Sequence, residues 1–558
     1  MSSGSMSSGS MSRDERGQGE GGREGFGLYG GAGRNGWVWA RPESALLVLG
    51  PPRSGKTAAV VVPNVLVAPG AVVSTSTKPD VVGATLPGRL RRGRCVIFDP
   101  SGRTVPPPGV GLARWSPLSG CQDWEVSLSR AHALARASRP GRGLSEATHW
   151  VERAEALLAP LLHAGALGGL GMETVVRWVA RREVGEALVV LGSGSLPADT
   201  LAGIDRTEER ERSGIFSTAS SILSPYRSGT ALAAAEVGDF DPDAFVASAG
   251  TLYICAPARA QDQLAPLVVA LIEELVAAAY AHSARVPGGP VVLFALDEVA
   301  NIAPLPGLPA LVAEGASQGA RTLACLQDLS QARARWGGAA EGFLSLFGAK
   351  LVLPGIGDHA TLSLLSALCG DRDVVVRSEN RARWPLLGRG PWPSVATSTV
   401  RRPRLAVAEV ARGRPGAGLW LVGGEAPAFV RLTPWYAVSP WAELARGEVP
   451  AAGARPSPAG RSSWWRCAGW LGAGWLGAGA MGWPAGNEAR HGGRWRRWWG
   501  WGLFLVGFLV LPAAWWSVGV LGLGLVLLLG PALVRARPGL GRRVASRLLS
   551  GCRREAGP

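Results

Sequence analysis

The sequence GPPRSGKTAAVVVPNVL, residues 50–66, contains the short motif on which the fold prediction rests. Gly50, Gly55, Lys56 and Thr57 fit the pattern G-x-x-x-x-G-K-[ST], which joins a buried strand to the start of a helix in phosphate-binding proteins. The apolar run ALLVL precedes the motif, and small and β-branched residues follow it. The local sequence therefore predicts a strand, a glycine-rich turn and a helix in that order.

The chemistry of this motif suits ATP with Mg²⁺. Glycines let backbone N–H groups point inward, and the helix start adds partial positive charge. Lys56, one of only three lysines in the chain, would reach the β- and γ-phosphates as a compact point charge. The Thr57 hydroxyl would bind the metal. The cofactor-binding residues are Gly50, Pro51, Pro52, Arg53, Ser54, Gly55, Lys56 and Thr57. A chance glycine turn is the alternative for the motif taken alone.

Length and composition limit the class of protein. A chain of 558 residues holds more than one domain, and 47% hydrophobic with 18% charged residues is apolar for a soluble protein. The formal net charge of +16 favours nucleic acid or an anionic membrane surface as a partner, without choosing between them. The seven cysteines are scattered and contain no C-x-x-C, which argues against a disulfide framework or a zinc site and favours a reduced, cytosolic setting.

Short apolar runs predict the strands of an α/β fold. Segments of helix length separate most of them, which is typical of a mostly parallel sheet covered on both faces. The predicted strands are residues 45–49, 71–73, 95–98, 252–255, 291–296, 322–326, 351–353 and 419–422.

Residues 104–247 differ from these strand-forming regions. The stretches 146–162, 172–191 and 215–226 have the spacing of helices and few strand signals. They predict an all-α domain inserted into the α/β fold, and we assign no chemistry to it.

A second motif lies in PVVLFALDEVANIAPLPGL. Asp297 and Glu298 follow an apolar run, at the predicted carboxyl end of a strand, where ligands bind in open α/β sheets. In a P-loop ATPase the first acid holds Mg²⁺ and the second polarises the attacking water. The alternative is an N-cap and a first-turn acid of the next helix. The glycine-lysine motif upstream favours the metal and water roles.

Gln327 adds a third element. It ends the predicted strand 322–326, which would lie beside the strand that carries the acids. An amide there would sense the γ-phosphate, although a polar residue at a strand end is ordinary by itself. The three motifs in this order suggest a RecA-like motor, with Glu298 and Gln327 as the catalytic residues.

From about residue 44 to 436 the chain resembles the TraG/TraD family of coupling proteins, the DNA-pumping ATPases of type IV secretion systems. The resemblance rests on GPPRSGKTAAVVVPNVL, STSTKPDVV, FALDEVANIAPLPGLPALVAEGASQG, ACLQDLSQARARWG and LVLPGIGDHATLSLLSALCG. It implies a ring, typically a homo-hexamer, at the inner membrane, which moves single-stranded DNA with its relaxase to the secretion channel. It also implies Walker A roles for Lys56 and Thr57, Walker B roles for Asp297 and Glu298, with Asp297 binding Mg²⁺, and a sensor role for Gln327.

Two positions depart from the family pattern. Ser76 stands where many relatives have an acid, and the role of that acid does not carry over. Gly315-Ala316 stands where many have Gly-Arg, so the arginine finger is unassigned. Other arginines in the region are Arg321, Arg333 and Arg335.

The third departure concerns the membrane. Relatives usually have transmembrane helices before the Walker A motif, whereas here the long uncharged apolar segment is residues 498–534. Arginines flank it on both sides, which places both ends in the cytoplasm and favours two short spans in a hairpin. A single tilted helix is the alternative.

The predicted fold class is α/β, a RecA-like P-loop NTPase core with an all-α insertion domain and a C-terminal transmembrane helical segment. Alternative functions are an FtsK-like DNA translocase, a coupling ATPase for protein-only secretion, and a nucleotide-binding membrane scaffold without turnover. The predicted divisions are a disordered tail (1–36), the nucleotide-binding domain in two parts (37–103 and 248–440), the all-α domain (104–247), a flexible linker (441–490), the transmembrane region (491–545) and a basic cytoplasmic tail (546–558).

Overall fold

A computed structural model of the chain describes residues 26–138, 145–236, 240–257, 259–380 and 394–448. These residues all belong to one compact unit. The predicted transmembrane segment 498–534, most of the predicted linker and the basic tail lie outside the described residues.

The described residues contain strands of two separate sheets. In chain order the strands are β1 (Tyr29–Ala32), β2 (Trp37–Trp39), β3 (Leu46–Leu49), β4 (Val72–Ser76), β5 (Cys95–Phe98), β6 (Gly111–Leu112), β7 (Thr251–Cys255), β8 (Val292–Leu296), β9 (Ala320–Leu326), β10 (Ala349–Val352), β11 (Asp371–Asn380), β12 (Ser394–Pro403), β13 (Ala417–Val422) and β14 (Ala428–Arg431).

The large sheet has the strand order β2-β1-β14-β13-β10-β3-β9-β8-β4-β7-β5-β6. The strands from β10 to β6 are parallel, and β13, β14, β1 and β2 extend the sheet in antiparallel pairs. The mostly parallel sheet predicted from the sequence is thus confirmed. β11 and β12 form a sheet of their own.

Helices follow or connect most of these strands. They are α1 (Val62–Val67), α2 (Asp80–Leu90), α3 (Trp124–Ala137), α4 (Ser145–Leu167), α5 (Met172–Arg181), α6 (Gly185–Leu191), α7 (Leu196–Asp205), α8 (Glu209–Ile222), α9 (Gly229–Ala234), α10 (Pro242–Val246), α11 (Gln261–Arg285), α12 (Val299–Ile302), α13 (Leu308–Glu314), α14 (Leu329–Trp336), α15 (Phe343–Leu346), α16 (His359–Leu368), α17 (Val407–Arg412) and α18 (Trp441–Ala445). A π-helical turn, Thr57–Val61, precedes α1, and 3₁₀ turns lie at Ser224–Arg227, Gly337–Gly342 and Trp435–Ala437.

The apolar side chains of the sheet are buried on both faces. One face shares a continuous core with the helical region, in which Leu157 of α4, Leu134 of α3 and Leu267 of α11 are fully buried. The other face packs against α1 and α2 through residues such as Val65 and Val81. Because the helices from α3 to α10 share this core with the sheet, their treatment as a separate all-α domain stays a prediction.

Helix α11 has a composition that resembles a membrane span. Among the described residues it is the one helix long and apolar enough to cross a membrane, and 67% of its most apolar window is buried inside the protein. Its burial is that of a core helix, so it gives only weak evidence for membrane insertion.

Each predicted strand appears, with its ends shifted by at most a few residues. The predicted helix 172–191 is instead two helices, α5 and α6. They are separated at Arg182, which has a left-handed backbone with φ of 57°. A residue in that conformation ends a helix, and the periodicity of apolar residues does not reveal it.

Three boundaries predicted from the sequence are wrong. Strand β1 lies inside the predicted tail 1–36, strand β6 lies inside the predicted all-α region, and helix α18 begins the predicted linker. The tail and the linker are ordered there because Tyr29 and Trp441 pack together, with ring centroids 4.9 Å apart. Trp37 adds a second contact to Trp441 at 5.2 Å. Aromatic contacts between segments so distant in sequence leave no local pattern.

Arg89, near the end of α2, is fully buried and joins three segments at the amino ends of β4 and β7. Its Nε donates to Thr251 Oγ1 at 2.7 Å, its Nη1 to the Ala68 carbonyl at 2.7 Å, and its Nη2 to the Gly70 carbonyl at 2.8 Å. Nη2 also donates to the carbonyl of Ala249 at 2.9 Å. Burial lowers the pKa of Arg89 to about 10, so the guanidinium stays charged at neutral pH.

We predict that Arg89→Ala destabilises the protein by about 3 kcal/mol, because several buried carbonyls lose their donor at once. The measurement is the midpoint of thermal unfolding followed by near-UV circular dichroism. Arg92→Ala is the matched control, since Arg92 also donates to the Ala68 carbonyl, at 3.3 Å, but is exposed. Equal midpoints for the two variants would contradict the structural role of Arg89.

Candidate active site

The loop after β3 has the shape that the glycine motif predicts. A Cβ at Gly50 would lie 2.8 Å from Ser54 Oγ and 2.9 Å from Leu353 Cβ, so a side chain at this position would clash. Gly55 has φ of +94°, a conformation that side-chain-bearing residues rarely adopt. The Gly50 N–H donates to the Leu326 carbonyl at 3.1 Å, which ties the loop to the end of β9.

The Lys56 side chain lies inside this loop and is 8% exposed. Its Nζ donates to the carbonyl of Gly50 at 2.5 Å and to that of Pro51 at 3.0 Å. The loop therefore places one ammonium group close to the start of a helix. This arrangement of positive charge suits an anion.

Thr57 connects this loop to the acid pair. Its Oγ1 donates to Asp297 Oδ2 at 2.6 Å, although the two residues are 240 positions apart in the chain. The backbone carbonyl of Asp297 accepts a hydrogen bond from Thr75 Oγ1 at 3.0 Å. Two of the predicted site residues thus meet at the carboxyl ends of β3 and β8, and Thr75 is a contact that the sequence did not reveal.

Asp297 is 6% exposed, and its second carboxylate oxygen, Oδ1, is buried without a hydrogen-bond partner among the described residues. Burial raises the pKa of Asp297, while the Thr57 hydrogen bond and the Lys56 charge oppose that rise. A buried carboxylate oxygen without a partner costs free energy, and a bound cation would remove that cost.

The residues present fit Mg²⁺ held together with a phosphate. The described residues contain no group of three or more His, Cys, Asp or Glu that would bind a metal by itself. Mg²⁺ usually takes one or two carboxylates and completes its shell with water and phosphate oxygens. The Thr57 hydroxyl and the Asp297 carboxylate supply the protein part of such a shell.

Glu298 has a left-handed backbone, with φ of 53° and ψ of 46°. Only three non-glycine residues in the described ranges have positive φ, and Arg53 in the phosphate-binding loop is another. Glu298 precedes α12, but its side chain makes no capping hydrogen bond, which weighs against the interpretation as an N-cap. Conformational strain of this kind costs about 1 kcal/mol or more and is concentrated at functional sites.

Gln327 follows β9, which lies between β3 and β8 in the sheet. The prediction that its strand neighbours the acid-bearing strand is confirmed. The Gln327 N–H donates to Gln331 Oε1 at 2.8 Å, and the Gln327 residue is half-buried. Gln327 therefore ends the strand between the phosphate-binding loop and the acid pair, and its sensor role stays a prediction.

The arginines considered in place of the missing finger are all engaged. Arg321 is buried near the start of β9, at the edge opposite to Gln327, and donates to the carbonyl of Ala316 at 2.6 Å. Arg333 pairs with Asp358 at 2.7 Å, and Arg335 pairs with Asp262 at 3.0 Å. The position of Arg321 argues against a finger role, and none of the three is assigned one.

Comparison with protein families matches two regions of the chain. The model "Type IV secretory system Conjugative DNA transfer" matches residues 5–180, and "TraM recognition site of TraD and TraG" matches residues 291–413. The conjugal transfer protein TraG of Escherichia coli is 26% identical over 328 residues, which is 52% of this chain. The chain spans about half the length of that curated relative (49%).

Solved structures of the bacterial conjugative coupling protein TrwB have a similar fold. The unbound TrwBdeltaN70 structure has a TM-score of 0.53 at 19% identity, covering 70% of this chain and 85% of TrwBdeltaN70. TrwB in complex with ADP and Mg²⁺ gives 0.53 at 19% identity, with coverage of 70% and 85%. At this identity the likeness shows a TrwB-like, RecA-like α/β fold. The two family models, which together match more than half of the chain, and the TraG relative show that this chain belongs to the TraG/TraD-type family of conjugative coupling proteins.

Proposed function

We propose that this chain is a membrane-anchored ATPase that couples single-stranded DNA, with its relaxase, to a type IV secretion channel. The observation that carries the proposal is the hydrogen bond between Thr57 Oγ1 and Asp297 Oδ2, beside an Asp297 Oδ1 that has no described partner. Support also comes from the relatives, since TrwB has been solved with ADP and Mg²⁺ and with a non-hydrolysable ATP analogue.

In this proposal the phosphate-binding loop holds ATP. Lys56 exchanges its bonds to the Gly50 and Pro51 carbonyls for phosphate oxygens, and the loop N–H groups orient the phosphates. Thr57 and Asp297 would hold Mg²⁺, which would neutralise charge that develops on the phosphates.

Glu298 accepts a proton from the water that attacks the γ-phosphate. Hydrogen bonds hold the preceding residue, Asp297, through its side chain and its carbonyl. The left-handed backbone of Glu298 then sets the direction of the Cα–Cβ bond from which its carboxylate extends. Gln327, on the strand between loop and acids, would respond to the loss of the γ-phosphate and pass the change to α14.

The proposed assembly is a homo-hexamer at the cytoplasmic membrane, with DNA and the relaxase as substrates. The net charge of +16 and the family membership support a polyanionic substrate. An FtsK-like translocase and a protein-only coupling ATPase keep the same site and differ in substrate. A scaffold without turnover is less consistent with the strained backbone of Glu298.

We predict that Lys56→Ala weakens ATP binding, because a buried positive charge leaves the loop, while Glu298→Gln keeps binding and loses turnover by roughly 10²- to 10⁴-fold. Fluorescent-nucleotide titration and phosphate release measure the two steps. Lys78→Ala is the control, since Lys78 is exposed and lies outside the loop. Equal rates of ATP hydrolysis for the wild type and Glu298→Gln would contradict the proposed ATPase mechanism.

We predict that the protein binds single-stranded DNA with little sequence preference and that added salt weakens binding steeply. For about four neutralised phosphates the affinity would fall roughly 50-fold between 50 and 200 mM salt. Fluorescence anisotropy with oligonucleotides of different sequence measures this. Salt-insensitive binding, or none, would favour protein-only secretion.

The membrane anchor is proposed from sequence alone, because residues 498–534 lie outside the described residues. We predict that a reporter active only outside the cytoplasm gives no signal when fused to the C-terminus, since flanking arginines resist translocation. The same reporter inserted after Pro512, at the turn of the hairpin, should give a signal. A signal from the C-terminal fusion would require a single span.

A further inference from the structure

Strands β11 and β12 form a two-stranded ribbon that is separate from the large sheet. Each strand has 10 residues, which corresponds to a length of about 33 Å. The register pairs Asp371 with Pro403 at one end and Asn380 with Ser394 at the other. Of the side chains described in the ribbon, Val374 and Val376 are half-buried and the others are exposed.

This exposure points to a binding partner. An isolated two-stranded ribbon is marginally stable in water, and stable sheets usually bury one face. Here both faces are open, with Val375 61% exposed on one face and Val400 40% exposed on the other. The ribbon therefore offers a surface of about its full length to another molecule.

A pair of arginines on one face of the ribbon favours an anionic partner. The two strands carry four arginines, two aspartates and one glutamate, a formal net charge of +1. Arg372 and Arg402 lie directly opposite each other in the register, so that two positive side chains share one face. Like charges at such a position repel, and an anion between them would remove the repulsion.

The opposite face is mixed in charge. Arg377 and Arg401 lie there, and Asp371, Asp373 and Glu379 share that side of the register. Arg401 pairs with Asp373 at 3.8 Å, and the two side chains are 77% and 65% exposed. An ion pair this exposed contributes little and leaves the guanidinium available. Thr397 and Thr399 place hydroxyl groups on the same face.

One helix connects the ribbon to the candidate active site. At the end of α16, Ser366 Oγ donates to the Leu405 carbonyl at 2.6 Å, and the Arg404 N–H donates to the Gly370 carbonyl at 2.8 Å. These contacts hold the base of the ribbon.

The start of α16 is bound to the segment that follows Gln327. Asp358 pairs with Arg333 at 2.7 Å, and the Leu329 N–H donates to Thr361 Oγ1 at 3.1 Å. α16 has 10 residues, so about 15 Å separates the sensor segment from the ribbon base. A change at Gln327 would reach the ribbon through one rigid element.

We propose that the ribbon of β11 and β12 binds the phosphate backbone of single-stranded DNA, with Arg372 and Arg402 as phosphate ligands. The inference rests on the proposed function and deepens it by naming the part of the chain that grips the DNA. A narrow arm with two facing arginines on one side suits a flexible polyanion that can follow it. Weaker binding of the Arg372→Gln, Arg402→Gln variant to anionic phospholipid vesicles, with the oligonucleotide slope retained, would assign this side to a lipid surface and overturn the inference.

The test measures the salt dependence of binding by the full-length protein. The probe is a fluorescein-labelled thymidine oligonucleotide, and the variant is Arg372→Gln with Arg402→Gln. The logarithmic slope against salt should become shallower by about 1.4, because two phosphate contacts are lost. Stimulation of ATP hydrolysis by the oligonucleotide should fall, while hydrolysis without DNA stays unchanged.

Two control variants separate charge from structure. Arg372→Lys with Arg402→Lys keeps the charge and should keep the wild-type slope. Arg114→Gln with Arg285→Gln removes the same charge from exposed arginines elsewhere, which pair with Glu236 and Asp243, and should also keep the slope. Unchanged hydrolysis without DNA shows that each variant is folded.

A steep wild-type slope that the Gln variant retains would overturn the inference and leave the proposed function standing. If the Gln variant retains the slope but forms a smaller assembly by light scattering, the inference would also be overturned. The ribbon would then be assigned to contacts between copies of the chain. No binding of the oligonucleotide by the wild type would overturn the DNA part of the proposed function, and the inference with it.

Discussion

The hydrogen bond between Thr57 and Asp297 is the contact on which the site depends. It exists because parallel strands end at the same edge, so that β3 and β8 bring residues 240 positions apart within 2.6 Å. β9 lies between these strands and ends in Gln327. A nucleotide bound at the loop would therefore meet the candidate metal ligand, the candidate base and the candidate sensor without any large movement of the chain.

The buried polar groups at the two edges of the sheet differ in whether their hydrogen bonds are satisfied. At the amino edge, Arg89 gives its N–H groups to a hydroxyl and several carbonyls, which leaves a rigid and satisfied network. At the carboxyl edge, Asp297 has an oxygen without a described partner, and Arg53 and Glu298 have strained backbones. The hydrogen bonds at the amino edge stabilise the fold, whereas the unsatisfied oxygen and the backbone strain lie at the carboxyl edge.

The site is also continuous with regions far from it. α16 connects the segment after Gln327 to the ribbon, and the core of the sheet extends into the helices from α3 to α10. In the proposed motor, such connections would let a change at the phosphate reach a distant surface. Helices and packed cores transmit small displacements since they have little free volume.

The sequence by itself determined the parallel core and predicted the residues for the chemistry at its edge. Buried strands are continuous apolar runs, and the phosphate loop needs glycines at fixed spacing, so both features are local. These local features predicted Lys56, Thr57, Asp297 and Glu298. They also predicted that the strand ending at Gln327 lies beside the strand that carries the acids.

Only the tertiary structure decided which distant residues meet. β1 and α18 are ordered by contacts between Tyr29 and Trp441, and the exposed ribbon has no buried face to give it an apolar alternation. The backbone of Glu298 and the burial of Asp297 also depend on neighbours from other strands. Apart from the ribbon, these features arise from contacts between segments hundreds of residues apart, and such contacts leave no periodic signal in either segment.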